Sequence, residues 1–278
     1  MTLSEACEAY RRDVIIFQNQ SKKTEENHCV AAKSLLDHVG DIDISALQFE
    51  HVRKWKESLD KTRSPATVRN YIIKLRVILA HTLKSGEKCL DPELIAVPKR
   101  PEKVPTFLTN AQVTKLISST NKIKNKAIVS LLYASGIRIS ELCQLDKDDL
   151  RDDGTFTVVG KGGKPRLCFI DERTKTLIDI YLESRTDNNP ALFLAEYGNK
   201  RITSGTIQDT FKSIRKRSGI ECSPHTLRHS FATNLMQNGM HIYTVSKLLG
   251  HASIQTTQIY LHVTDLHLEK DYRKYHTV

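Results

Sequence analysis

The sequence lacks the features of membrane, secreted and metal-binding proteins. No apolar run approaches the roughly 20 residues that are needed to span a bilayer, and the N-terminus does not resemble a signal peptide. The six cysteines are widely separated, without a CxxC pair or the spacing of metal ligands, and the eleven histidines do not cluster. We therefore expect a cytoplasmic protein with reduced thiols, no membrane association, no bound metal and no cofactor.

Negative charge is also scarce relative to positive charge. Lysine and arginine total 42 against 32 acidic residues, which gives a formal net charge of +10. Basic residues exceed acidic residues both in 1–88 and in 108–278. Charge alone fits an ordinary basic protein equally well, but its spread along the chain favours a polyanionic partner.

The first 88 residues predict a four-helix domain. Thr2 and Glu5 form a capping box before the first helix, and Ser64 with Pro65 begins the fourth. From 61 to 84 this fourth segment contains lysines and arginines but no acidic residue. A helix charged with one sign repels itself unless an anion lies near, so this segment indicates either an anion-binding surface or a simply solvated face.

Prolines separate this domain from the rest of the chain. Residues 89–107 contain four of them, and proline excludes helix and favours extended geometry at the preceding residue. We therefore predict a linker at 89–107 and a second domain at 108–278. In the second domain, TFTVVG and KPRLCFI alternate like strands around a KGGK turn, which predicts a β-hairpin among helices. The predicted fold is mainly α, with a mixed α+β second domain that holds a small sheet.

Four side chains near the C-terminus could carry chemistry. His225 and Arg228 share one face in the first turn of a predicted helix, where free backbone N–H groups favour an anion. His251 follows a glycine at a predicted helix end, and Tyr260 lies on a last short predicted helix capped by Ser253. Taken singly, these residues fit a capping histidine, a surface ion pair and an interface tyrosine.

Two more distant residues complete the set. Arg138 follows a glycine turn and could simply pair with Glu141 or Asp146, while Lys161 lies at the tip of the predicted hairpin. Together, two arginines can neutralise the oxygens of one phosphate, a lysine can protonate a leaving oxygen, and a histidine can take the proton of a tyrosine. The six residues therefore indicate phosphodiester cleavage without a metal.

The segments that hold these residues resemble a known family. SGIRISEL, GKGGKPR, SPHTLRHSFAT and LLGHASIQTTQIYLHV closely resemble the catalytic boxes of the tyrosine recombinases (phage integrases). AYRRDVIIF and SPATVRNYIIKLRVIL are more loosely similar to the core-binding domain of that family. The resemblance covers nearly the whole chain. It implies a SAM-like core-binding domain at 1–88 and a catalytic domain with a C-terminal tail at 108–278, without the arm-binding domain of larger integrases.

The resemblance also implies a reaction and a set of partners. A tyrosine would form a 3′-phosphotyrosyl link with DNA, which conserves bond energy and so needs neither ATP nor metal. The implied partners are duplex recombination sites and a homotetramer, or a heterotetramer with a related recombinase. The implied catalytic roles are phosphate binding by Arg138 and Arg228, general acid for Lys161, acid/base for His225, hydrogen-bond donor for His251 and nucleophile for Tyr260. Further DNA contacts are predicted at Arg69, Lys74, Arg76, Lys164 and Arg166.

Two other functions remain open at this point. The chain could be a DNA-binding regulator on a recombinase scaffold, although every catalytic position is filled. It could also be a type IB-like topoisomerase, because that enzyme uses the same combination of arginine, lysine and tyrosine. Integration, excision and chromosome dimer resolution use the same residues, so the sequence does not distinguish them.

Overall fold

The computed structural model describes residues 1–99, 106–160, 163–251, 253–260 and 272. The chain divides by its internal contacts into two compact units, Met1–Lys103 (unit 1) and Val104–Val278 (unit 2). The described residues are mainly helical and include one two-stranded sheet, so the predicted fold class is confirmed. Across these residues, no helix is both long and apolar enough to cross a bilayer.

Unit 1 is built from helices whose starts are set by their caps. Thr2 makes the predicted capping box with Glu5, and the Ser64 hydroxyl accepts a hydrogen bond from the Thr67 backbone N–H at 3.3 Å. Trp55, the single tryptophan of the chain, is buried in the core between these helices. The α-helices described in unit 1 are α1 (Leu3–Tyr10), which continues into a π-helical turn (Arg11–Ile16), α2 (Lys22–Val39), α3 (Phe49–Thr62) and α4 (Pro65–Lys84).

Part of the segment predicted as a linker packs on unit 1. Ile95 is buried in the core of this unit, and Pro92–Leu94 forms a 3₁₀ turn. Arg76 holds the segment in place: its Nη1 donates to the Ile95 carbonyl at 3.1 Å and its Nη2 to Glu93 Oε1 at 2.7 Å. Residues 92–95 are therefore part of a folded unit, which the proline content does not indicate.

Unit 2 is organised around α6 (Ile123–Ser135), which packs against α8 (Glu172–Glu183) and α10 (Pro224–Gln237) and buries residues on several faces. The predicted start of α10 is confirmed, because the Ser223 hydroxyl accepts from the Thr226 backbone N–H at 3.0 Å and Pro224 occupies the first turn. The α-helices described in unit 2 are α5 (Asn110–Ser118), α6 (Ile123–Ser135), α7 (Ile139–Leu142), α8 (Glu172–Glu183), α9 (Ser204–Ser218), α10 (Pro224–Gln237) and α11 (Ile242–Leu249).

The sheet of unit 2 is the predicted hairpin. Strands β1 (Thr155–Val159) and β2 (Pro165–Phe169) are antiparallel, and buried Phe156 lies opposite buried Cys168. The predicted strand at 191–194 does not form as a regular strand. Ala191 and Leu194 instead make isolated bridges, because each pairs with a different loop.

Residues 254–256 and 258–260 form short 3₁₀ turns. Ser253 caps a turn at Ile254–Thr256, and Tyr260 closes a second turn at 258–260. The predicted short helix that Ser253 caps and that carries Tyr260 therefore takes the form of 3₁₀ turns in these residues. Their backbone bonds connect positions three apart, as in Tyr260 N–H to the Thr257 carbonyl at 3.1 Å. The helical tail predicted from 264 lies outside the described residues, apart from Tyr272.

Candidate active site

Arg228 is the most buried cation of the candidate site. It lies on α10 and is only 6% exposed. Its Nη1 donates to the Gly136 carbonyl and its Nη2 to the Leu249 carbonyl, both at 2.6 Å. One guanidinium therefore joins the turn after α6, the start of α10 and the end of α11.

Arg138 reaches the same place from the other side of the Gly136 turn. Gly136 adopts φ +62°, a left-handed conformation that ends α6 and that L side chains rarely adopt. Two residues later, the Arg138 Nη2 lies 3.4 Å from the Gly250 carbonyl, and its Nη1 donates to Glu141 Oε1 at 2.8 Å. The structure thus brings the two predicted phosphate-binding arginines to the C-terminal end of α11.

Arg166, which is predicted as a DNA contact, is also part of this cluster. Its side chain is 9% exposed, and it forms a bidentate pair with Glu141 through bonds of 2.8 and 2.7 Å. Its Nε donates to the Leu248 carbonyl at 2.9 Å. All three guanidinium nitrogens of Arg166 therefore bond to groups of the protein itself.

Gly250 shows how tightly Arg166 is packed. The glycine adopts φ +63°, and a Cβ atom placed on it would lie 2.8 Å from Arg166 Cδ. The sequence explains Gly250 only as a helix stop. The structure adds a second reason for glycine: the side chain from β2 occupies the space that a larger residue would need.

Glu141 is the carboxylate that holds the arginines together. Burial alone would raise its pKa, but hydrogen bonds from the Arg166 side chain and the Arg138 backbone outweigh burial and lower the pKa to about 2. It is therefore ionised at neutral pH. The sequence indicates Glu141 only as a possible partner of Arg138. Sequence reasoning missed the bridge to Arg166 because it crosses 25 residues of sequence.

The cluster retains an excess of positive charge. Arg138 and Arg166 form ion pairs with the single carboxylate of Glu141, and the third guanidinium, that of Arg228, lies close enough to feel all three charges. Burial, followed by repulsion from Arg138 and Arg166, lowers the pKa of Arg228 to about 10. A phosphate anion would relieve this repulsion, and a guanidinium matches its oxygens with paired N–H groups.

The two predicted histidines differ in their surroundings. His225 is exposed in the first turn of α10. His251 is partly buried, and its Nδ1 lies 2.9 Å from Thr257 Oγ1. Burial, and then the charges of Arg228 and Arg138, lower the pKa of His251 to about 4, so its imidazole is neutral at pH 7. A neutral imidazole with one N–H fits the implied role of hydrogen-bond donor to a phosphate oxygen.

Tyr260 is 1% exposed and packs with buried residues of α10 and α11 such as Met236 and Leu249. Its Oη lies 2.5 Å from Nδ1 of His229, a residue that the sequence does not single out. Burial raises the pKa of Tyr260 to about 12 despite the opposing charge of Arg228. His229 directly follows Arg228 in the LRHS motif, but the sequence gives no signal for its contact with Tyr260.

The remaining predicted residues are less closely tied to the cluster. Lys161 lies outside the described residues. Lys164 is exposed near the end of the hairpin, and Arg69 is half-buried with its Nε buried without a hydrogen-bond partner. The Lys74 ammonium donates to the Asn27 carbonyl at 2.6 Å, and Arg76 is engaged with residues 93 and 95. Within the described residues, no group of three or more His, Cys, Asp or Glu side chains could hold a metal ion.

Replacing Glu141 with glutamine is expected to destabilise unit 2 by roughly 3 kcal/mol at pH 7, the usual cost of breaking a buried ion pair. Because its folded-state pKa is lowered, the carboxylate stabilises the fold above its unfolded pKa of about 4.5, and this contribution disappears as the pH falls toward 2. The difference between wild type and Glu141→Gln should therefore shrink on acidification. Scanning calorimetry between pH 7 and pH 3 measures it.

The matched control is Asp209→Asn, which breaks an exposed ion pair with Lys212 in the same unit and should cost less than about 0.5 kcal/mol. Tryptophan fluorescence is unsuitable for this comparison because Trp55 reports on unit 1. A Glu141→Gln protein as stable as wild type at pH 7 would contradict the central role of this carboxylate.

Comparison with known proteins identifies the family to which these elements belong. Residues 106–267, more than half of the chain, match the phage integrase family. The chain belongs to the phage integrase family. Its relatives include the tyrosine recombinase XerD of Listeria innocua serovar 6a, 37% identical over 230 residues that cover 77% of each protein. A tyrosine recombinase of Thermosipho africanus is 34% identical over 262 residues, 89% of this chain and 91% of the relative.

Solved structures of the integrase family share this fold. The crystal structure of XerA recombinase is 25% identical, covers 99% of this chain and 98% of its own, and has a TM-score of 0.56. The Tn1549 transposon integrase in complex with transposon right end DNA reaches a TM-score of 0.82 at 20% identity, with 99% of both chains covered. The resemblance found in the sequence is thus confirmed, as is the fold of a tyrosine recombinase.

Proposed function

We propose that this integrase-family protein is a site-specific DNA recombinase that cuts and rejoins strands through Tyr260. The observation that carries the proposal is the convergence of Arg138 and Arg228 at the end of α11, with His251 directly after it and Tyr260 packed against the same helix. The cluster has excess positive charge at a point where a phosphate would be held. Its relatives named XerD and XerA are tyrosine recombinases.

The proposed reaction uses the cluster to stabilise charge on one phosphate. Arg138 and Arg228 hold the non-bridging oxygens, where charge develops in the transition state, and fixed donors of this kind contribute several kcal/mol. The Tyr260 oxygen displaces the 5′ oxygen and forms a 3′-phosphotyrosyl link. Lys161 supplies the proton to the departing oxygen, and His251 donates to the phosphate. The 5′ hydroxyl of the partner strand then attacks the phosphotyrosyl link, which releases Tyr260 and joins the two strands.

Duplex DNA is the proposed partner, and four protomers on two sites the proposed assembly. The net charge of +10 favours a polyanion. Among proteins of similar fold, XerH was solved on its difH substrate and a lambda integrase dimer was solved on a core site. Exchange between two duplexes requires four strand cuts, and one nucleophile per protomer makes four protomers the simplest assembly. The five predicted DNA contacts stay proposals: Arg69, Lys74, Arg76, Lys164 and Arg166.

The test is covalent trapping from a pool of nicked, random-sequence duplexes of about 40 base pairs, a size that holds two half-sites about one helical turn apart. When Tyr260 cleaves close to a nick, the short strand piece that carries the freed 5′ hydroxyl diffuses away. The protein then stays covalently attached to the DNA. Denaturing gels, sequencing of the trapped DNA and peptide mass spectrometry should reveal one enriched sequence bound to the peptide that contains Tyr260. A protein that binds DNA tightly but never forms an adduct would instead be a regulator on this scaffold.

A type IB-like topoisomerase is the second candidate for the same cluster. It would relax supercoiled plasmid that lacks the enriched sequence, and trapping would show no sequence preference. The proposed recombinase should relax such plasmid poorly and should join two duplexes that each carry the enriched site.

A further inference from the structure

The hydroxyl of Tyr260 has one titratable side chain within hydrogen-bond distance in the described part of the chain. His229 Nδ1 lies 2.5 Å from Tyr260 Oη, and the two ring centroids are 5.6 Å apart at an interplanar angle of 54°. Of the other histidines near the site, His251 has its Nδ1 engaged by Thr257, and His225 is exposed one turn before His229 on α10. His229 is therefore the imidazole within hydrogen-bond distance of the proposed nucleophile.

From this geometry we infer that His229 is a further catalytic residue: it accepts the phenolic proton of Tyr260 during strand cleavage and returns it during rejoining. The inference rests on the proposed recombinase function. The family resemblance implies an acid/base role for His225. The inference assigns one part of that role, the contact with the nucleophile, to His229. A general base must first lie within hydrogen-bond reach of the proton it removes, and His229 does.

The step balances without a cofactor. In cleavage, the Oη–H bond of Tyr260 breaks, its proton goes to His229 Nδ1, the Oη–P bond forms and the P–O5′ bond breaks. The departing O5′ takes a proton from the acid on its own side, proposed as Lys161. In rejoining, the attacking 5′ hydroxyl returns a proton to that acid, the O5′–P bond forms as the Oη–P bond breaks, and His229 gives its proton back to Oη.

The electrostatics around the pair suit a base that acts only when DNA is present. Burial, then the neighbouring His225 and Arg228, lower the pKa of His229, so its imidazole is neutral and can accept a proton. Burial raises the pKa of Tyr260 to about 12. Both shifts oppose proton transfer from Tyr260 to His229 in the protein alone, so the phenol is protonated before attack. During attack the negative charge of the oxygen passes into the new bond to phosphorus, and the phosphate anion favours the protonated imidazole that results.

The test compares His229→Asn and His229→Ala in the trapping assay with the enriched duplex. Asparagine places an amide oxygen near the position of Nδ1, so it accepts the hydrogen bond but takes no proton. Both variants should form the adduct roughly 100-fold more slowly than wild type, the typical contribution of general base catalysis. Rejoining of a preformed adduct should slow equally, because the same proton moves in reverse. Duplex affinity should stay unchanged.

The matched control is His241→Asn, at the N-cap of α11 in the same unit, where asparagine also caps well. Its trapping rate should equal that of wild type, and thermal melts followed by circular dichroism verify that each variant is folded. A wild-type rate in His229→Asn would overturn the inference, since the contact would then only position Tyr260. A faster rate in His229→Ala would also overturn it, because the contact would then hold the tyrosine back.

Two outcomes separate this inference from the function on which it rests. If wild type never forms an adduct, the recombinase proposal fails. If wild type forms an adduct through Tyr260 while both His229 variants match its rate, only the role of His229 fails.

Discussion

Tyr260→Phe is expected to abolish the covalent protein–DNA complex while changing duplex affinity by less than about threefold, because affinity comes mainly from phosphate contacts by cations. Phenylalanine keeps the ring that packs with α10 and α11 and removes only the oxygen that would bond to phosphorus. The change leaves His229 Nδ1 without its partner, a cost of about 1 kcal/mol. The measurement is adduct yield on the enriched nicked duplex, beside a gel-shift titration.

Tyr272→Phe is the matched control, and it should form the adduct at the wild-type rate. Tyr272 is 63% exposed, so the substitution does not disturb a core. An undiminished adduct in Tyr260→Phe would show that another tyrosine is the nucleophile. Tyr272 and Tyr275 would then be the next residues to substitute, since both follow in the C-terminal tail.

Arg228→Lys should slow adduct formation by roughly 100- to 1,000-fold, the usual effect of removing one fixed donor at a developing charge. Lysine keeps the positive charge but has a single ammonium, which does not reproduce a planar fork aimed at two carbonyls. One of the Gly136 and Leu249 carbonyls would lose its partner, so stability should also fall by about 1–3 kcal/mol. Single-turnover trapping and calorimetry measure the two effects separately.

The control for Arg228→Lys is Arg173→Lys on α8, where the arginine is exposed. It should alter neither the trapping rate nor the melting temperature. If Arg228→Lys formed the adduct at the wild-type rate, positive charge alone would suffice at this position, and the planar fork of the guanidinium would contribute nothing to strand cleavage.

Local sequence signals predict the helix starts and the hairpin well, because caps, prolines and alternating residues act on their immediate neighbours. The starts of α4 and α10 follow from a serine N-cap and a proline in the first turn. The hairpin follows from alternating residues around KGGK. Tyr260 is the exception: its short 3₁₀ turns have too few residues to give a clear helical period.

The connections among site residues are beyond local signals. Arg166 is predicted to contact DNA because it is a cation near the glycine-rich turn of the predicted hairpin, and its partner Glu141 lies 25 residues earlier. His229 follows Arg228 directly, and nothing in the sequence indicates that a residue 31 positions later places its hydroxyl against the ring. The family resemblance identifies the catalytic boxes. It does not describe the buried pairs that hold them in this chain.

The arginine contacts join residues that are far apart in the sequence, so they form only late in the synthesis of the chain. Arg228 bonds to a carbonyl 92 residues before it, Arg138 approaches a carbonyl 112 residues after it, and the Leu108 N–H donates to Ser230 across 122 residues. A nascent chain in which residue 250 is still inside the ribosome therefore has no assembled arginine cluster. The proposed strand cleavage is thus restricted to chains that extend beyond residue 250, and shorter products would lack it.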